Sequence, residues 1–293
     1  MIRSMTGYGS AERTTDRVRI SVEIRTVNNR SLKINPRTPE GFGTIEVEIE
    51  RLLRERIGRG TINVTLTVEP HGASARAPIN RDVLSAYWND LADLRKKVGE
   101  EAVSLDALLA LPGVVSSETV LLSEIQDLPA QIQKAVGEAL GRLDAMRETE
   151  GKVIRKDITA ILDEMERHVA AIRHRTPTVV QEYQQRLKDR IADLLRGTEV
   201  PLDDQTLARE VAIFAERSDV NEELTRLASH AEQFRELLST RGPVGRQLEF
   251  LTQEMYREAN TIGAKANDAQ ISRDVVEIKA GVDRLREHSQ NIE

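Results

Sequence analysis

VRISVEIRTV, Val18 to Val27, decides the reading of the front of the chain. Val18, Ile20, Val22 and Ile24 fall on one side and Arg19, Ser21, Glu23 and Arg25 on the other. That is the period of two of a strand with one buried face. TINVTLTVE, Thr61 to Glu69, repeats the pattern with Ile62, Val64, Leu66 and Val68. Between the two lie a short strand at 32–34, a breaker stretch at 36–43 with two Pro and two Gly, and a helix. The helix carries Ile45, Ile49, Leu52, Leu53 and Ile57 and is stopped by Gly58 and Gly60. Residues 1–70 therefore predict a small strand-helix-strand domain, and Pro70 to Pro78 with its small residues predicts a linker at 71–80.

Beyond Asn80 the apolar spacing becomes helical. Candidate helices cover 81–98, 105–111, 127–174, 178–196, 205–240, 245–264 and 269–292, with Pro177, Gly197, Pro201, Gly242 and Pro243 between them. The last helix places Ile271, Val275, Ile278, Val282, Leu285 and Ile292 on a heptad seam, which predicts packing on another helix of this chain or of a neighbour. The fold class expected is α+β: the small domain at 1–70, then a larger all-α domain of long antiparallel helices at 81–293.

Composition narrows the function. Of 293 residues, 31% are charged and only nine are aromatic, which suits long helices and disfavours a base-stacking platform of the OB-fold kind. The absence of cysteine excludes disulfides, thiol nucleophiles, iron–sulfur clusters and thiolate zinc sites. The start MIRSMTGYGS has no signal-peptide core, and no uncharged run reaches the ~18 residues of a membrane span, so a soluble, cytoplasmic protein is expected. The net charge of −6 divides into +3 over residues 1–70 and −9 over the rest, a basic front and an acidic rear. There is no Walker-type phosphate loop and no His-Glu-x-x-His helix, and Gly7-Tyr8-Gly9 lacks the third glycine of a dinucleotide site.

Two acidic helices are the candidates for chemistry. On 205–240, Glu216, Glu223 and His230 recur every seven residues and share one stripe, with Asp219 and Arg226 beside them. Two carboxylates and an imidazole in a row suit a divalent cation or a proton shuttle. The same stripe also fits a solvated face laced with ion pairs, Glu223 with Arg226 for instance. On 245–264, Leu248, Leu251, Met255, Ala259 and Ile262 form a buried stripe, and Glu254, Glu258 and Lys265 a charged one beside it. Glu254 and Glu258, one turn apart, repel unless a metal, a proton or a cation such as Lys265 or Arg257 lies near. At the front, Arg25-Thr26-Val27-Asn28-Asn29-Arg30 reads as a polar turn flanked by two arginines, either a phosphate clamp or solvated charge.

MIRSMTGYG at the start, VEIRTVNNR at 22–30, GRQLEFLTQE at 245–254, REANTIGAKAN at 257–267 and QNIE at the end resemble the YicC family of bacterial proteins. LPGV at 111–114 fits as well, and the likeness runs from end to end. The resemblance implies a YicC-type N-terminal domain followed by a C-terminal helical domain. It implies a divalent-metal-dependent endoribonuclease acting on single-stranded RNA in small-RNA or mRNA turnover, assembled as a homo-oligomer, a hexamer. Mapped onto this chain, Glu223, His230, Glu254 and Glu258 become the catalytic and metal-ligating set for Mg²⁺ or Mn²⁺. Arg25, Asn28, Asn29, Arg30, Arg257 and Lys265 become the RNA-binding set. The family usually has His where this chain has Asn29 and Asn where it has Tyr256. A non-catalytic oligomeric RNA adaptor or chaperone is the alternative expectation, and a helical scaffold joined through the heptad seam a further one.

Overall fold

The computed structural model describes residues 2–29, 31–72, 79–98, 105–115, 125, 127–196, 203–240, 242 and 244–293. Its strands are β1 (Gly7–Thr14), β2 (Val18–Val27), β3 (Leu32–Arg37) and β4 (Gly60–Pro70). Its helices are α1 (Gly43–Arg56), α2 (Arg81–Val98), α3 (Leu105–Leu109), α4 (Leu128–Leu195), α5 (Asp204–Arg217), α6 (Asn221–Ser239), α7 (Gly245–Lys265) and α8 (Ala269–Gln290). The α+β class holds.

Close contacts divide the chain into two units, residues 5–147 and residues 1–4 with 148–293. The division falls well beyond the 71–80 linker, most of which lies outside the described residues. Its cause is the first part of α4, whose Ile132, Val136, Leu140 and Leu143 are buried with the strands.

In the first unit the sheet runs β1-β2-β4-β3. β1 and β2 form an antiparallel hairpin turned at Thr15, whose N–H donates to the Val18 carbonyl at 2.8 Å and whose hydroxyl accepts from the Val18 N–H at 3.1 Å. β2 pairs β4 antiparallel, opposing Val22 to Leu66, and β3 pairs β4 in parallel across the α1 crossover. β3 is an edge strand, so Pro36 within it costs no ladder bond to a further neighbour. Ile20, Val22, Ile24, Ile62 and Val64 are fully buried against Ile49 and Leu53 of α1 and the α4 stripe. β1 is the strand that alternation did not reveal. Gly7-Tyr8-Gly9 belongs to it, and a Cβ on Gly9 would stand 2.1 Å from the Ala139 carbonyl oxygen and 2.6 Å from the Leu143 nitrogen. Glycine there lets the strand backbone meet the helix backbone.

The second unit is built from 148–195 of α4 and from α5 to α8, with residues 2–4 beside the chain end. Arg3 and Glu293 exchange backbone hydrogen bonds of 3.0 and 2.9 Å, and Ile292 is buried. Ile271, Val275, Ile278, Val282 and Leu285 of α8 are all buried in one core with Ile158, Leu162 and Met165 of α4 and Leu248 and Met255 of α7. The heptad seam therefore packs within this chain, which removes it as the joint of a scaffold. Pro177, expected to end a helix, lies inside α4 at an exposed position, where solvent reaches the acceptor its missing N–H leaves. The single helix expected at 205–240 is two. Ser218 turns its hydroxyl onto the Phe214 carbonyl at 2.8 Å, beside its own N–H at 2.9 Å, and Asp219 accepts from the Asn221 N–H at 3.0 Å, so side-chain hydrogen bonds bracket the break.

Candidate functional site

The break after Ser218 separates Glu216, on α5, from Glu223 and His230, on α6. The three-residue stripe reduces to two. Leu224, Leu227, Ala231 and Phe234 bury the inner face of α6, and Glu223 is carried inward with them to 7% exposure. On α7, Leu248, Leu251, Met255, Ala259 and Ile262 are buried as the spacing predicts, and Glu258 goes with them at 6%.

Each buried carboxylate is met by a cation from the other helix. Lys265 Nζ of α7 lies 2.7 Å from Glu223 Oε1 of α6 and also donates to the Asp219 carbonyl at 3.0 Å. Arg226 of α6 faces Glu258 of α7 at 3.7 Å and hydrogen-bonds Glu222 as well. The reciprocal pairs fix the register of α6 on α7. An ion pair this buried stabilises modestly while whole and costs much more when one partner is lost.

Two buried polar atoms here lack a hydrogen-bond partner, Glu223 Oε2 and His230 Nδ1. Seven residues of helix separate their Cα atoms by ~10.5 Å along the axis. Glu254 is half-buried one turn before Glu258, with no partner among the described residues. Among the described residues no three His, Asp or Glu side chains gather as a metal site. The four residues expected to share a metal thus sit on two neighbouring helices, with Glu223 and Glu258 bound to Lys265 and Arg226. The residues of one chain do not fit the ion.

The RNA-binding residues divide between the units. Arg25 is exposed on β2 with its guanidinium 5.2 Å over the Tyr8 ring and 3.5 Å from Glu23. Asn28 is exposed. Asn29 spends its amide on structure: Nδ2 donates to Thr61 Oγ1 at 2.8 Å and Oδ1 accepts from the Ser31 N–H at 3.4 Å, tying the end of β2 to β4. Arg30 lies outside the described residues. Arg257 is exposed, with no ion pair among the described residues, whereas Lys265 turns inward to Glu223.

Sequence reasoning missed a second charged centre in this unit. Asp268 caps α8, one oxygen accepting from the Gln270 and Ile271 N–H groups at 2.9 and 3.0 Å and the other from Arg175 Nη2 at 2.8 Å. Arg175 also binds Glu182 through two hydrogen bonds of 2.7 and 2.8 Å. The Arg175 hydrogen bond holds the Asp268 carboxyl below the usual aspartate range, against burial, which pushes it up. The Asp before a new helix was a cap signal open to reading; its Arg partner, far away in sequence, was not.

Fold and site together define an α+β chain whose C-terminal helix pair carries cross-linked carboxylates beside a half-buried histidine. The chain belongs to the YicC-like endoribonuclease family, matching its N-terminal-region model over residues 2–156 and its C-terminal model over 172–293. It is 32% identical over 296 residues to "Probable endoribonuclease YicC" of Clostridioides difficile and 32% over 294 residues to the protein of that name in Haemophilus influenzae. All of this chain and all of each relative are covered.

Proposed function

We propose that the chain is an endoribonuclease that cleaves single-stranded RNA at the α6–α7 surface, in the turnover of small RNAs and mRNAs. The observation that carries the site is the pair of buried, unpartnered atoms on one stripe of α6, Glu223 Oε2 and His230 Nδ1. Their position within a chain that resembles endoribonucleases from end to end supports a role in the reaction. His230, half-buried, is the group suited to move a proton near neutral pH. Glu254, the carboxylate without a described partner, is the other candidate for contact with the reacting phosphate. Glu223 and Glu258 hold α6 against α7 through Lys265 and Arg226. Arg257, and Arg25 with Asn28 on the sheet, hold the RNA backbone.

Dependence on Mg²⁺ or Mn²⁺ belongs to the proposal, but its donors must include groups beyond these four. RNA phosphates, or a second copy in the homo-oligomer we propose, a hexamer, would supply them. A cytoplasmic setting is proposed with it, and among the described residues no helix is long and apolar enough to cross a membrane.

Incubating pure protein with an end-labelled single-stranded RNA, with and without EDTA, and mapping the product ends tests the reading. Cleavage that stops with EDTA supports the divalent ion; a 2′,3′-cyclic end made in EDTA assigns the nucleophile to the RNA 2′-OH with His230 as base. His230→Gln and Glu254→Gln should bind RNA and fail to cut it. Full cleavage by both variants overturns the site, and binding without cleavage by the wild type in every divalent ion tested makes the protein an RNA adaptor.

A further inference from the structure

On the flank of α7 away from Glu254 and Glu258, α7 and α8 enclose a groove of about 340 Å³ lined by Thr252, Gln253 and Tyr256 from α7 and Val282, Asp283 and Arg286 from α8. Its floor is sealed: Thr252 and Val282 are 1% and 2% exposed, and the Thr252 hydroxyl is spent on the Glu249 carbonyl at 2.7 Å. Its walls are open. Tyr256 is 41% exposed, and Gln253, Asp283 and Arg286 are exposed beside it. Asp283 and Arg286 are three residues apart on one helix, the spacing at which opposite charges usually pair. Among the described residues neither has an ion-pair partner, while Arg284, between them, pairs with Glu164 at 3.1 Å. The groove thus offers an aromatic face, an uncommitted guanidinium and an uncommitted carboxylate around one small space.

We propose that this groove is a subsite for one nucleotide of single-stranded RNA and that it takes guanine. The inference rests on the RNA-cleaving function proposed above and names one nucleotide that its substrate presents. The Tyr256 ring provides a stacking face, which any base can use. The Arg286 fork suits the adjoining phosphate. A carboxylate only accepts, so Asp283 needs donors from the base edge. Guanine presents N1–H and the N2 amino group side by side, matching the two carboxylate oxygens. Uracil presents a single N–H between two carbonyl oxygens that repel the carboxylate, and adenine and cytosine each offer one amino group next to an acceptor nitrogen. A cavity at the small end of the usual ~300–1,000 Å³ range admits one nucleotide and excludes a duplex.

Fluorescence anisotropy with a labelled ten-nucleotide oligouridine, and with the same strand carrying one central guanosine, tests the proposal in EDTA, so that binding is read without cleavage. The wild type should bind the guanosine strand about tenfold more tightly. Asp283→Asn should bring the two strands within about twofold, and inosine in place of guanosine should lose most of the preference. Tyr256→Ala should weaken both strands about tenfold while Tyr256→Phe binds as the wild type does. Arg286→Gln should lower the slope of log Kd against log salt by about one. Circular dichroism confirms the fold of each variant, and these exposed positions carry no core packing. Equal binding of the two strands by the wild type, or unchanged Kd values in Tyr256→Ala and Asp283→Asn, overturns the subsite. If RNA cleavage persists in the wild type, that failure leaves the endoribonuclease reading intact; guanosine preference without cleavage leaves the subsite and removes the nuclease.

Discussion

Removing one partner of the Glu223–Lys265 pair should cost very different amounts depending on which partner goes. The Glu223 side chain is 9% exposed and that of Lys265 37%. In Glu223→Gln, the Lys265 ammonium swings into water on its flexible stem, and the loss is about 1 kcal/mol. In Lys265→Met, the Glu223 carboxylate stays buried with Oε1 now as bare as Oε2. A fully buried orphan charge costs ~3–5 kcal/mol; discounting for the exposed half of this pair leaves about 2–3 kcal/mol. For a unit of this size that is a fall of roughly 4–12 °C in the unfolding midpoint, against about 2–4 °C for Glu223→Gln. The double variant should be more stable than Lys265→Met alone, because it removes the orphan charge, so the coupling should exceed the Glu223→Gln loss, at about 2 kcal/mol. Calorimetric scans of the four proteins measure all of this. A larger loss in Glu223→Gln than in Lys265→Met would refute the reasoning, since it would mean that the carboxylate is not the buried partner.

Asp268→Asn keeps a capping side chain and loses the Arg175 ion pair. Because Arg175 holds the Asp268 carboxyl low, its contribution is complete above the unfolded value near ~3.9 and disappears as pH falls through the lower folded value. The variant should be less stable at pH 7, and the gap, followed by thermal unfolding, should close progressively as pH falls below ~3.9. Gly9→Ala drives a Cβ into the Ala139 carbonyl and should destabilise by about 3 kcal/mol, whereas Gly137→Ala, with nothing within 4 Å in an exposed helix, should stabilise by about 0.5–1 kcal/mol. Urea titrations give both signs. Val282→Asp, at a position 2% exposed, should unfold the helical unit rather than release intact subunits, which circular dichroism and light scattering together distinguish.

Much of the fold was legible because its elements carry clean periods. β2 and β4 alternate, and α7 and α8 repeat every three or four residues, so their faces follow from the sequence alone. β1 was not legible, since Gly7, Gly9 and Ser10 give no alternation; their smallness answers α4, which lies more than a hundred residues away. The break at Ser218-Asp219-Val220 was hidden as well, because no Gly or Pro marks it and the helical spacing of the apolar residues runs straight through. The split of the chain within α4 is of the same kind: one uninterrupted helical period serves two cores, and only the partners of each half tell them apart.

The site was half legible for a related reason. Spacing places Glu223 and His230 on one stripe and Glu254 and Glu258 on another, but a stripe does not say which side chains sink into the seam between two helices. Depth decides the chemistry. A carboxylate that sinks needs a cation at once, so Glu223 and Glu258, each at the edge of an apolar stripe, drew Lys265 and Arg226 from across the seam. An acid held so by a lysine or an arginine is fixed in its place, which suits a strut. The like-charge step from Glu254 to Glu258 is resolved in the same way: one carboxylate is neutralised across the seam, and the other, half-buried, is left for an outside partner. On the α6 stripe His230 Nδ1 has no described partner, so in the proposed reaction proton transfer falls to His230 and alignment to the ion pairs. Lys265→Arg, which keeps the pair to Glu223 and a donor for the Asp219 carbonyl, should therefore preserve cleavage, while no substitution at His230 should.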